Sequence, residues 1–226
     1  MPPRDLAFIF DMDGVIINSI PFHRRAWREF FTWHEKNFTG RMRGKKFSND
    51  YFNNHINGRR GAEVMHNLFG NAAVAEQTKH WDDEREAYYR KTYAPHIASL
   101  SGLTTFLETA RRAKIPMALA TSAPPENVRF VLGKTKLRKY FSFIIDASGI
   151  TRGKPAPDMF LKAAKKLKTP PKKCVVFEDA ILGVQAGVNA KMSVIAITNS
   201  YSKRQLPGAK LYIKNFSGLS LADTIH

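Results

Sequence analysis

Short, uninterrupted apolar runs recur along this chain, at Leu6–Phe10, Met117–Ala120, Phe143–Ile145, Val175–Phe177 and Val194–Ile197. Such runs are too short for buried helices. They also lack the apolar–polar alternation of a strand with one wet face, so they suit strands covered on both sides in a parallel sheet. The stretches between them carry apolar residues at helical spacing, near 103–113, 126–137, 157–167 and 181–190. Strands that alternate with helices predict an α/β fold, a three-layer, doubly wound core around a mainly parallel sheet.

The alternation fails between about residues 20 and 92. This stretch is rich in aromatic and polar residues and shows helical patterns at 22–35, 62–69 and 74–93, with no run that suits a buried strand. The expectation is a Rossmann-like core of residues 1–19 and 93–226, interrupted after its first strand by a helical cap domain of residues 20–92. Ligands of such sheets bind outside the carboxyl ends of the strands, and a helical insertion after strand one would cover that edge. A length of 226 residues fits a core with one insertion.

Composition narrows the class further. Hydrophobic residues make up 43% of the chain and charged residues 24%, enough apolar material for a sizeable core. The longest apolar runs, such as Ser193–Ile197 and its flanks, are too short to cross a bilayer, so no membrane partner is expected. The start, Met-Pro-Pro-Arg-Asp, lacks the pattern of a signal peptide. Cys174 is the single cysteine and cannot form an internal disulfide. Its apolar neighbours predict a buried, inert thiol, which fits a reducing compartment and a cytoplasmic location.

Lys and Arg total 36 against 19 Asp and Glu, a net charge of +17. A field of that sign attracts nucleic acid or anionic metabolites. Lys162, Lys165, Lys166 and Lys168 fall three or four apart, and Lys172 and Lys173 follow. That spacing lines the solvated side of an outer helix. No nucleic-acid motif or aromatic stacking pattern accompanies these lysines, which argues against a nucleic-acid partner.

Four polar clusters stand just after expected strands: Asp11 with Asp13, Thr121 with Ser122, Lys154, and Glu178 with Asp179. Each alone has a structural explanation. Asp-x-Asp-Gly makes a turn, with Gly14 supplying a positive φ. Thr121-Ser122 and Glu178-Asp179 suit the starts of helices, and Lys154-Pro155 suits a surface loop. Together, in this order and at these strand ends, they converge on one site.

The set resembles the haloacid dehalogenase superfamily of phosphohydrolases. The matching strings are Phe10-Asp-Met-Asp-Gly-Val, Leu119-Ala-Thr-Ser, Gly153-Lys-Pro-Ala-Pro-Asp-Met-Phe and Phe177-Glu-Asp-Ala. Ile17-Asn-Ser-Ile-Pro-Phe-His and Arg25-Ala-Trp are similar to the β-phosphoglucomutase-like subgroup with its helical cap. The resemblance implies a magnesium-dependent enzyme in which Asp11 attacks phosphorus to form an aspartyl phosphate and Asp13 is the general acid and base. Asp11, the main-chain carbonyl of Asp13, Asp179 and Glu178, directly or through water, would hold the metal. Lys154 would neutralise the transferring phosphoryl group, and Thr121 and Ser122 would bind its oxygens.

In the cap, the resemblance points to Asn57-Gly58-Arg59-Arg60 as a loop that meets substrate, and to His23 at the hinge. Trp27, four residues on, suits cap core. Two departures stand out. Mutases of the subgroup carry an arginine three residues after the loop glycine, where this chain has Gly61. Relatives have Gly-Met where this chain has Lys191-Met192. The first departure favours a phosphatase acting on a small phosphorylated metabolite over a phosphosugar mutase. A basic, non-catalytic nucleic-acid-binding protein is the alternative of another class, and the intact acidic set argues against it. A monomer or weak dimer is expected.

Overall fold

The computed structural model describes residues 6–38, 42–70 and 75–225. The chain forms two compact units, one of residues 1–18 and 97–226 and one of residues 19–96. The helical unit thus runs to His96, four residues past the boundary expected at 92.

The first unit is built on a sheet of six strands: β1 (Ala7–Phe10), β2 (Met117–Ala120), β3 (Phe143–Ile145), β4 (Cys174–Glu178), β5 (Ser193–Ile197) and β6 (Leu211–Ile213). All neighbouring pairs are parallel, in the order β3-β2-β1-β4-β5-β6. The strands lie where the apolar runs predicted them. β6 is an addition: Leu-Tyr-Ile is half-buried at the sheet edge, between Lys210 and Lys214. Helices α5 (Leu103–Arg112), α6 (Pro125–Thr135), α7 (Asp158–Lys166) and α8 (Ile181–Asn189) link the strands.

The two faces of the sheet bury different side chains because successive strand residues point to opposite sides. On one face Phe8, Phe10 and Phe177 meet Phe106 of α5 and Phe216, and the Phe10 and Phe177 rings stack at 4.5 Å and 3°. On the other face Ala7, Ile9, Ala118 and Val176 pack against α7 and α8, whose small residues let the helices approach closely. A Cβ at Gly187 of α8 would meet Val194 Cγ2 of β5. Cys174 is buried here, and burial raises its thiol to about 11, so it is inert as expected.

The second unit is helical throughout its described residues: α1 (Ile20–His34), the short α2 (Asn49–Tyr51), α3 (Gly61–Phe69) and α4 (Ala75–Tyr93). Its core is aromatic, with Trp27, Phe30, Phe31, Phe52 and Phe69 buried together. Arg85 is buried over the Trp27 ring at 4.1 Å and is paired with Asp82 and Glu86. α2 continues into a π-helical turn, Phe52–Ile56, which closes where the Asn57 N–H donates to the Phe52 carbonyl at 2.9 Å. No helix among the described residues is long and apolar enough to cross a membrane.

Candidate active site

The sheet order reverses between β1 and β4, and the ends of these neighbours form the crevice in which a doubly wound sheet holds its ligand. Asp11 follows β1 directly, and its N–H donates to the Phe177 carbonyl of β4 at 3.0 Å. The chain then turns tightly. Gly14 donates its N–H to the Ile17 carbonyl at 2.9 Å and has φ +78°. Only glycine fits here, because a Cβ would also fall inside the Asp179 carboxylate. The Asp-Met-Asp-Gly turn is therefore pressed directly against Asp179.

Lys154 sits in the loop before α7 with its ammonium buried. Its Nζ donates to Asp11 Oδ1 at 2.7 Å and to Glu178 Oε1. The other oxygen of Glu178, Oε2, accepts the N–H groups of Asp179 at 2.7 Å and Ala180 at 2.8 Å. Glu178 thus fixes the turn that leads into α8 and holds Lys154 at once. A Cβ at Gly183 would fall inside that carboxylate. Thr121, buried at the end of β2, accepts the Ala123 N–H on Oγ1 at 3.2 Å, which leaves its hydroxyl proton to donate elsewhere. Ser122, beside it, is half-buried.

Three buried carboxylates, Asp11, Glu178 and Asp179, face one buried ammonium. Burial is the main force on Asp11 and raises its carboxyl to about 7, against the pull of Lys154. Asp179 is also raised, by burial and then by the Glu178 charge. Burial alone would lower the Lys154 ammonium, but Asp11 and Glu178 outweigh it and hold it above the usual lysine range. The pocket carries more negative charge than its lysine offsets.

The strand-end residues expected from sequence thus meet: Asp11, Lys154 and Glu178 by direct contact, and Asp179 through the Gly14 turn. Sequence reading missed Ser200, whose Oγ donates to Asp179 Oδ2 at 2.5 Å. It stands in the polar Thr198-Asn199-Ser200 run just past β5, the same signal that marked the other clusters. The expected cap residues all lie in the helical unit. His23 stacks on Tyr89, with ring centroids 3.8 Å apart. Asn57 is buried, and Gly58 has φ +81°. Arg60 donates Nε and Nη2 to Glu63 Oε1 at 2.8 and 2.5 Å. Arg59 is half-buried, and its Nε has no hydrogen-bond partner.

A parallel α/β sheet with acids and a lysine gathered at its switch point defines an enzyme of the phosphohydrolase type. The haloacid dehalogenase-like hydrolase model matches residues 6–191, and the chain belongs to that family. It is 24% identical over 96% of its length to the chloroplastic 5-amino-6-(5-phospho-D-ribitylamino)uracil phosphatase of Arabidopsis thaliana, and spans 56% of that longer protein. It is 28% identical to the fructose-1-phosphate phosphatase YqaB of Escherichia coli, over 87% of this chain and 98% of that protein. The β-phosphoglucomutase of Clostridium difficile has the same fold, with a TM-score of 0.81, 25% identity and coverage of 96% of this chain and 94% of that one.

Proposed function

We propose that the protein is a magnesium-dependent phosphatase of small phosphorylated metabolites that works through an aspartyl phosphate on Asp11. The observation that carries this reading is the buried set of Asp11, Lys154, Glu178 and Asp179 at the β1–β4 switch point.

A phosphate ester repels anionic nucleophiles, so charge must be neutralised before attack. The donor set fits a dication, because the buried carboxylates exceed the one lysine and are oxygen ligands. Among the described residues no group of three or more His, Cys, Asp or Glu is arranged to hold a metal ion by itself. Magnesium needs no such cage: one or two carboxylates with waters and substrate oxygens suffice. Asp11 and Asp179 would hold it, with the Asp13 carbonyl and with Glu178 behind them, and it would supply positive charge to the phosphoryl oxygens.

Lys154 occupies Oδ1 of Asp11, which leaves Oδ2 to attack phosphorus. The new oxygen–phosphorus bond forms as the bond to the leaving oxygen breaks, and Asp13 gives that oxygen a proton. Asp13 then takes a proton from a water, which attacks the aspartyl phosphate, frees Asp11 and releases inorganic phosphate. Lys154, the Thr121 hydroxyl and Ser122 hold the phosphoryl oxygens.

The helical unit supports hydrolysis over isomerisation. A mutase must grip a second phosphate. At Gly61 an added Cβ would fall inside the Asp82 carboxylate, which is itself held by Arg85, so an arginine there would have to displace Asp82 from that pair. Arg60 is taken up by Glu63. Substrate choice is assigned to His23, Asn57, Gly58 and Arg59. A screen of phosphorylated sugars and related metabolites for phosphate release, with magnesium and with EDTA, tests the reading. Magnesium-dependent release is expected. Rapid conversion of β-glucose 1-phosphate to glucose 6-phosphate with a trace of glucose 1,6-bisphosphate, and little free phosphate, would contradict it.

A further inference from the structure

Charge in the core unit is sorted by edge. Helices that link parallel strands run back against them, so α5, α6, α7 and α8 all end at the amino-terminal edge of the sheet, opposite Asp11 and Asp179. One or two residues past each end stands a lysine with a left-handed backbone: Lys114, Lys136, Lys168 and Lys191, with φ of +59°, +57°, +55° and +61°. Glycine takes that conformation freely and lysine does so at a cost. One lysine at such a position is explained by attraction to the helix carboxyl end. Here all four positions carry one, all are exposed, and exposed Lys172 and Lys173 join them in the link into β4. Not one Asp or Glu stands in the links that enter β2, β3, β4, β5 and β6.

The shape of this edge selects the kind of partner. Six strands about 4.8 Å apart make it roughly 24 Å long. α5 lies on one face of the sheet and α7 and α8 on the other, so the lysines also spread across two helical layers, each about 10 Å thick. The patch is broad, and it presents helix ends rather than a helix side that could enter a major groove. Two of the exposed large apolar residues stand at this same edge, Phe143 at the start of β3 and Val188 in the last turn of α8. A broad spread of ammonium groups with interspersed apolar side chains matches the headgroup layer of an anionic bilayer.

We propose that the amino-terminal edge of the core is a peripheral docking surface for an anionic lipid bilayer, with the catalytic edge turned away from it. The proposal stands independently of the reaction. The test is co-sedimentation of the full chain with phosphatidylcholine vesicles, with and without phosphatidylserine, at low and physiological salt, beside a duplex DNA titration. The variant carries Lys114→Gly, Lys136→Gly, Lys168→Gly and Lys191→Gly together. It removes four charges while relieving four left-handed positions, so folding is preserved. The wild type should bind the phosphatidylserine vesicles selectively and lose binding as salt rises. The variant should bind on the order of 1,000-fold more weakly. Equal sedimentation with both vesicle types, or equal binding by the variant, would overturn the proposal. Tighter binding to duplex DNA than to the vesicles would also overturn it and make nucleic acid the partner of this edge.

Discussion

At Asp11, burial and a lysine act in opposite directions, and burial prevails. Its carboxyl moves from the ordinary 3.8 to about 7, and Asp179 is raised with it. In the metal-free protein the folded state therefore binds protons that the unfolded chain releases. For Asp11 this contribution to stability is full below about pH 4 and is lost as pH rises to about 7. Urea denaturation in EDTA across that window should show stability falling with pH, and Asp11→Asn should flatten the slope. The same substitution should reduce turnover by at least about 10³-fold while the fold remains, since an amide cannot form the aspartyl phosphate. A variant that keeps near-wild-type turnover would exclude Asp11 as nucleophile. Gly14 offers a second check at this scale. Gly14→Ala adds a left-handed strain and pushes a methyl into the Asp179 carboxylate, so it should destabilise by about 1–3 kcal/mol and weaken magnesium binding measured by calorimetry. Unchanged magnesium affinity would separate this turn from the metal site.

The elements that position these residues follow from two sequence periods. The core strands were legible because a strand buried on both faces needs an unbroken apolar run, and the runs at 117–120 and 175–177 match β2 and β4. β6 was not legible, because lysines bound its three residues on both sides and none of the three is fully buried. The Ser48–Ile56 segment of the helical unit was missed for another reason. Ser48 caps α2 by accepting the Tyr51 N–H at 3.0 Å, but Asn53 and Asn54 are poor helix formers, and the π turn departs from the 3.6 period. Lys191, unexplained by sequence alone, closes α8 in the left-handed position that suits glycine. Lys191→Gly should therefore stabilise the fold by about 0.5–1 kcal/mol in urea, less the lost attraction to the helix end. Gly187→Ala should do the reverse, by about 1–3 kcal/mol, because its methyl would crowd Val194 where α8 meets β5. A neutral outcome there would mean that α8 shifts at little cost.

For the whole molecule, the proposed reading puts catalytic class in the core unit and substrate choice in the helical one. Strand ends fix the reaction site through topology, so residues 167 positions apart in sequence, Asp11 and Glu178, share one lysine. Ser200 escaped notice because its part in the site exists only through Asp179. The side chains proposed for substrate choice, such as His23 and Arg59, have directions that no local pattern encodes. The most direct test of the account is to quench the enzyme during turnover of the best substrate from the phosphate-release screen, reduce with borohydride and sequence the peptides by mass spectrometry. An aspartyl phosphate at residue 11 would be reduced to homoserine there, in a substrate- and magnesium-dependent way, and this is the predicted result. Homoserine at another carboxylate, or an unmodified Asp11 under steady turnover, would contradict the covalent mechanism.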